Sequence, residues 1–312
     1  MFEYFFYGLQ QDIKLFLFFP ILSAVFRLAF IKIYQPYSSF CGREKALFEC
    51  FRYGFWWGMD FNAYVFLVSL ILISIPSAFF DFFRVHGLEL RLSIGGIYAV
   101  ILYTAFMGKL IFYRHFHDTY NYLLNMGKNA EKRNLIDVFF HEDYGAWILI
   151  GYIPYTILVL LACLALQSIP AIGLPIFDLP VEKYTFNVLV FVLAIVGFYW
   201  VRFGGTLDHR NKPEWDTIPS IVKEDSFLAR ACIDDLVALK WVRRKPLADE
   251  MQYSDEDLVQ HITDIMPNDY FLNWQSLENP LMAFARTAQG AKIKKPQHVF
   301  FIVGESVPQW AL

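Results

Sequence analysis

The chain of 312 residues is 56% hydrophobic and 19% aromatic, with mean hydropathy +0.37, too apolar for an ordinary soluble domain of this length. Its 27 basic residues against 30 acidic ones, net charge -3, supply no basic excess of the kind phosphate backbones select, which argues against nucleic acid as a partner. Cys41, Cys50, Cys163 and Cys232 match no zinc or CxxC spacing. Cys41 and Cys50 could pair in an oxidising compartment, with reduced thiols the plainer reading.

A bilayer core about 30 Å thick needs roughly 20 mostly apolar residues at 1.5 Å rise each, and five segments meet or approach that test. The opening Met1-Phe2-Glu3 lacks the basic start of a cleaved signal peptide, so the first segment, Ile13 to Ile33, is expected to stay as an anchor. It carries Arg27 and Lys32 towards its far end, where long side chains can snorkel. The second runs from Phe61 to Phe80, with Pro76 near its end. The third, Leu92 to Tyr113, holds Lys109; the fourth runs from Ala146 to about Ile169 and the fifth from Tyr184 to Val201. Between spans, Ala46 to Asp60 and His115 to Phe140 are aromatic, amphipathic stretches that could lie on a membrane surface.

Beyond Arg202 no further span follows. Ser226 to Val242 places Phe227, Leu228, Ala231, Leu236, Leu239 and Trp241 at near-helical spacing, and Ser254 precedes three acids as an expected N-cap. Lys292 to Pro296 forms a basic linker, and His298 to Ser306, HVFFIVGES, reads as a buried strand ending in a polar loop. The expected organisation is therefore a transmembrane domain over 1–203, a helical linker over 204–295 and the start of a second domain over 296–312. Glu305, at the end of that strand, is well typed as a ligand for a hard divalent cation. An ordinary surface turn is the equal alternative.

In this order and placement, five strings resemble the lipoteichoic acid synthase and phosphoglycerol transferase family, within the alkaline phosphatase and sulfatase superfamily. They are GFWWGMDFNAYV at the second span, FYRHFHDTYNYLL after the third, HEDYGAW before the fourth, RFGGTLDHR after the fifth, and HVFFIVGES. The resemblance spans nearly the whole chain. It implies a polytopic α-helical membrane domain of five transmembrane helices with juxtamembrane helices, followed by a truncated α/β sulfatase-like domain of which only the first strand is present. It also implies the bacterial cytoplasmic membrane, with the N-terminus inside and the C-terminal region extracytoplasmic. Glu305 would then be a metal ligand for manganese or magnesium, with the nucleophilic threonine expected beyond Leu312.

The reaction implied is transfer of phosphoglycerol from a phosphatidylglycerol-like lipid to an envelope polymer or glycolipid acceptor. A phosphoethanolamine transferase of the same superfamily, or a non-catalytic membrane anchor, remain the alternatives. Arg114, His115, Phe116, His117, Tyr120 and Arg210 are the expected headgroup-facing residues. His115, His117, Asp118, His141, Glu142 and Asp143 fit no metal-ligand spacing, and a headgroup-contacting role is preferred for them.

Loop charge opposes the implied orientation. Arg43, Lys45 and Arg52 lie between spans one and two, and Arg114, Lys128, Lys132 and Arg133 between three and four, against Arg84, Arg91 and Lys183 in the other two loops. The positive-inside rule alone would place the N-terminus outside.

Overall fold

The computed structural model describes residues 2–36, 40–127, 131–177 and 179–244. The chain divides into two units, Met1–Leu247 and Ala248–Leu312, and every described residue belongs to the first. Ser254, the Lys292–Pro296 linker and the strand His298–Ser306 with Glu305 lie outside the described residues. Among the described residues the regular structure is helical throughout.

Five helices are long and apolar enough to cross a membrane. They are α1 (Phe2–Tyr34), α2 (Glu44–Ser69, continued to Ser77), α3 (Gly87–Phe116), α5 (Gly145–Gln167) and α6 (Pro180–Arg202). A shorter helix, α4 (Lys132–His141), precedes α5, and α7 (Ser226–Cys232) and α8 (Asp235–Arg244) follow α6. The bundle has an upper end, where α1, α3 and α6 finish and α2 and α5 begin, and a lower end opposite. Helix α2 is the central element, packed on α1, α3 and α6 and on α7 and α8 as well. Its apolar window is 61% buried, whereas those of α5 and α6 are 11% and 6% buried, leaving most of their apolar surface on the outside of the bundle.

Two expectations change here for physical reasons. The first helix begins at Phe2 rather than Ile13, because the charge that cuts a hydropathy window short, Asp12, is fully buried and paired with Arg91. Ala46 to Asp60 is no surface stretch. It is the first half of α2, and its face with Cys50, Gly54, Gly58 and Asp60 meets the α7–α8 segment, while Phe48 and Arg52 on the other face stay exposed.

Helix α2 also changes pitch: Leu70–Ser74 forms a π-helical turn, with the Ile75 amide donating to the Leu70 carbonyl five residues back. Pro76 next in line has no N–H to continue the α pattern.

The hydropathy boundary near 203 marks the last membrane-length helix but not the end of packing. Phe227, Leu228, Ala231, Cys232, Ile233, Val237 and Ala238 are buried in one core with Phe30, Cys50, Trp57 and Phe106 of the spanning helices. The helix expected over Ser226–Val242 is broken at Ile233, whose backbone is extended, φ -70° and ψ 130°. Asp234 restarts it by accepting from the amides of Leu236 and Val237 at 3.1 and 3.2 Å.

Candidate functional site

Chemistry-bearing side chains concentrate at the upper end, where the α7–α8 segment is plugged into the bundle. The plug enters because α2 presents glycines at Gly54 and Gly58, one turn apart. A Cβ at Gly54 would lie 2.4 Å from the Arg27 guanidinium carbon and 2.6 Å from the Cys232 carbonyl oxygen, and one at Gly58 would lie 2.9 Å from Asp234 Oδ2. Close approach exposes the unpaired carbonyls at the end of α7 to cations from below. Arg27 Nε donates to the Ala231 carbonyl at 3.1 Å and Lys109 Nζ to the Ile233 carbonyl at 3.1 Å, the favourable placement of positive charge at a helix C-terminus. Lys109 also binds Asp235 Oδ1 at 2.6 Å and sits 4.7 Å from the Phe30 ring centre. Burial raises the Asp234 carboxyl to about 6, the neighbouring Asp235 adding to the effect and Arg27 and Lys109 opposing it.

Beside this junction lies a second constellation. Asp60 on α2, 2% exposed, accepts from Lys212 Nζ at 2.5 Å and Lys240 Nζ at 2.6 Å, both on Oδ2. Arg202 Nε stands 3.8 Å from Oδ1. Burial lowers the Lys212 ammonium from its ordinary value against the pull of Asp60. Aromatic rings wall the site: Arg202 lies 4.9 Å from the Tyr64 ring centre, and Trp56 meets Trp200 edge to face at 5.5 Å. Gly204 and Gly205 take φ of +74° and +86°, a turn that favours glycine and that seats Gly205 against the Trp56 indole.

The expected headgroup residues separate into three places. Arg114, His115, Phe116 and His117 are exposed where α3 ends, with His117 as the left-handed cap at φ 49°. Arg114 donates to the Glu142 carbonyl at 2.8 Å, and His115 Nε2 lies 3.0 Å from Asp143 Oδ1, so these two join the loop before α5. Tyr120 is buried, and its hydroxyl donates to the Ala105 carbonyl at 2.7 Å, which makes it a packing residue with no face towards lipid. Arg210 is exposed in a short 3₁₀ turn capped by Asp208. Cys41 and Cys50 are both free thiols, Cys41 exposed and Cys50 buried, where it donates to the Leu228 carbonyl of α7 at 3.5 Å. No three His, Cys, Asp or Glu side chains converge as a metal site among the described residues.

Reasoning from sequence missed Asp60, Lys212 and Lys240, whose signal was a lone acid in an aromatic, glycine-containing string and two isolated lysines far downstream. It also missed a buried network at the lower end. There Asp12 accepts from Arg91 Nε at 2.7 Å and from Ser69 Oγ at 2.6 Å, while Ser74 also donates to it and receives Arg91 Nη2 at 2.7 Å. That network is closed and electrically balanced.

No family model matches the chain, and neither the curated proteins nor the solved structures provide a match.

Proposed function

We propose that residues 2–244 form the membrane pedestal of a metal-dependent transferase that moves phosphoglycerol from a phosphatidylglycerol-like lipid to an envelope polymer or glycolipid acceptor. The supporting observation is spatial. Four of the five strings that carry the resemblance meet in pairs at the upper end: FYRHFHDTYNYLL touches HEDYGAW through His115–Asp143, and GFWWGMDFNAYV touches RFGGTLDHR through Asp60–Arg202 and Trp56–Gly205. Strings that serve one catalytic architecture have reason to converge where the chain leaves the bundle. In this reading the upper end faces outwards across a bacterial cytoplasmic membrane.

The pedestal contributes position. Lys109, Arg27 and Asp60 hold α7 and α8 at the upper end, which fixes the chain there up to Arg244. The exposed Arg114 and His115 offer donors to a phosphodiester headgroup. Glu305 would supply carboxylate oxygens to Mn²⁺ or Mg²⁺, which neutralises charge on a phosphoryl group when bound.

The test supplies full-length protein with labelled phosphatidylglycerol and phosphatidylethanolamine. Transfer of labelled glycerol phosphate is expected, with Glu305→Gln abolishing it. Transfer of the ethanolamine headgroup would move the assignment to the phosphoethanolamine branch, and transfer of neither would leave a non-catalytic anchor.

A further inference from the structure

We propose that the cleft between α1, α2 and α6 is a binding site for one phospholipid, with an acyl chain in the apolar groove and the phosphate on Arg202 and Lys212. The groove is lined by Ile13 and Leu17 of α1, Ala63 and Phe66 of α2, and Gly197 and Val201 of α6, and has a volume of about 290 Å³. It ends beside the charges: Ala63 lies one helical turn from Asp60, and Phe198 of the groove meets the Tyr64 ring at 6.3 Å, over which the Arg202 guanidinium lies at 4.9 Å.

Charge selects the occupant. Among the described residues three cations, Arg202, Lys212 and Lys240, face one carboxylate, leaving two positive charges beyond what Asp60 neutralises. Both lysines use Oδ2, and neither Asp60 Oδ1 nor Arg202 Nε makes a hydrogen bond among the described residues, although both atoms are buried. Uncompensated charge next to hydrocarbon is costly. An anionic phosphodiester offers oxygens to Arg202 and Lys212 while its chain fills a groove that no described side chain occupies. At Gly197 a Cβ would meet nothing within 4 Å, so the groove is open at its centre. The site requires no catalytic step and thus goes beyond the transferase reading.

The experiment measures lipid retained by the intact chain. Protein in mixed micelles is offered phosphatidylglycerol, a phosphate-free diacyl glycolipid with the same chains, or inorganic phosphate alone, then washed and examined by native mass spectrometry. One phosphatidylglycerol per chain is expected to survive, the glycolipid to be lost, and inorganic phosphate not to compete. Combined Arg202→Gln and Lys212→Gln should lower retention about tenfold, the equivalent of one charge-assisted hydrogen bond. Gly197→Phe should do the same by filling the groove with every charge in place, which keeps the test decisive even where the double variant folds poorly. Equal retention of the glycolipid, full competition by inorganic phosphate, or unchanged retention in Gly197→Phe overturns the proposal. Retention is read without turnover, so full-length protein that keeps the lipid yet transfers no phosphoglycerol sinks the transferase reading and leaves this one standing.

Discussion

Buried charges in this chain are placed as connectors. Lys109 is 3% exposed and serves two acceptors in the α7–α8 segment, the Ile233 carbonyl and Asp235. Removing one partner of such a pair leaves an uncompensated charge, a loss of about 3–5 kcal/mol. Lys109→Met should therefore lower thermal stability in detergent by that order, and adding Asp235→Leu should restore part of it, the Ile233 carbonyl still lacking its donor. Additive losses in the double variant would argue that the pair is not coupled. Asp234 supplies a pH-dependent term. Its folded-state value of about 6 lies above the ordinary 3.8, so the folded junction binds the proton more tightly than the unfolded chain. Its contribution to stability is full below about pH 4 and is lost as pH rises through about 6, by at most about 3 kcal/mol. Asp234→Asn, which keeps an N-cap, should remove this dependence, so that wild-type stability minus variant stability falls as pH rises through that window. A difference that grew with pH would reverse the sign of the argument.

Packing between elements turns on the glycine face of α2. Cys50 on α2 and Cys232 on α7 are both fully buried in one core, and the Cys50 thiol donates to the Leu228 carbonyl of α7 at 3.5 Å. Mild oxidation with copper phenanthroline should consequently join Cys50 to Cys232, seen as one cross-linked peptide pair. Gly54→Val should push α7 away from α2, cost about 1–3 kcal/mol as overpacking does, and suppress that cross-link. Efficient cross-linking in Gly54→Val would show that the segment is not seated as described. The same face explains what could be read beforehand. The five spans were legible because a run of about 20 apolar residues needs no knowledge of neighbours. Ala46 to Asp60 was misread because amphipathic periodicity shows that a face has a polar-tolerant partner without saying whether that partner is a headgroup layer or another part of the chain. Asp12 shortened the first span for a related reason, since a hydropathy window counts a charge and cannot see Arg91 nearly eighty residues away neutralising it. Asp60, Lys212 and Lys240 meet only through tertiary packing, so no local pattern announced them.

Five helices that each cross a membrane would place the two ends of the described chain on opposite sides of it, and the two ends of the bundle differ in kind. At the lower end Asp12 and Arg91 neutralise each other. At the upper end the Asp60 constellation carries a positive excess, and Arg114 is 47% exposed. Loop arginines and lysines drive the positive-inside rule during insertion, and by that rule the upper end belongs in the cytoplasm. The transferase reading needs the reverse, because an acceptor in the envelope is reached only from outside. Single cysteines decide between them. Leu207 is 62% exposed beside the upper end and Val85 is 72% exposed in the lower loop between α2 and α3, so either accepts a thiol label without disturbing the core. Each is best placed in a Cys41→Ser background, since Cys41 is exposed near the upper end. With a membrane-impermeant maleimide, Leu207→Cys should label in intact cells and Val85→Cys only after permeabilisation. The opposite pattern would make the charge rule right, put α7 and α8 in the cytoplasm and remove the extracytoplasmic transferase. Labelling of both in intact cells would place the two loops on one side, which five alternating spans forbid, and one of the five helices would then lie along the membrane instead of crossing it.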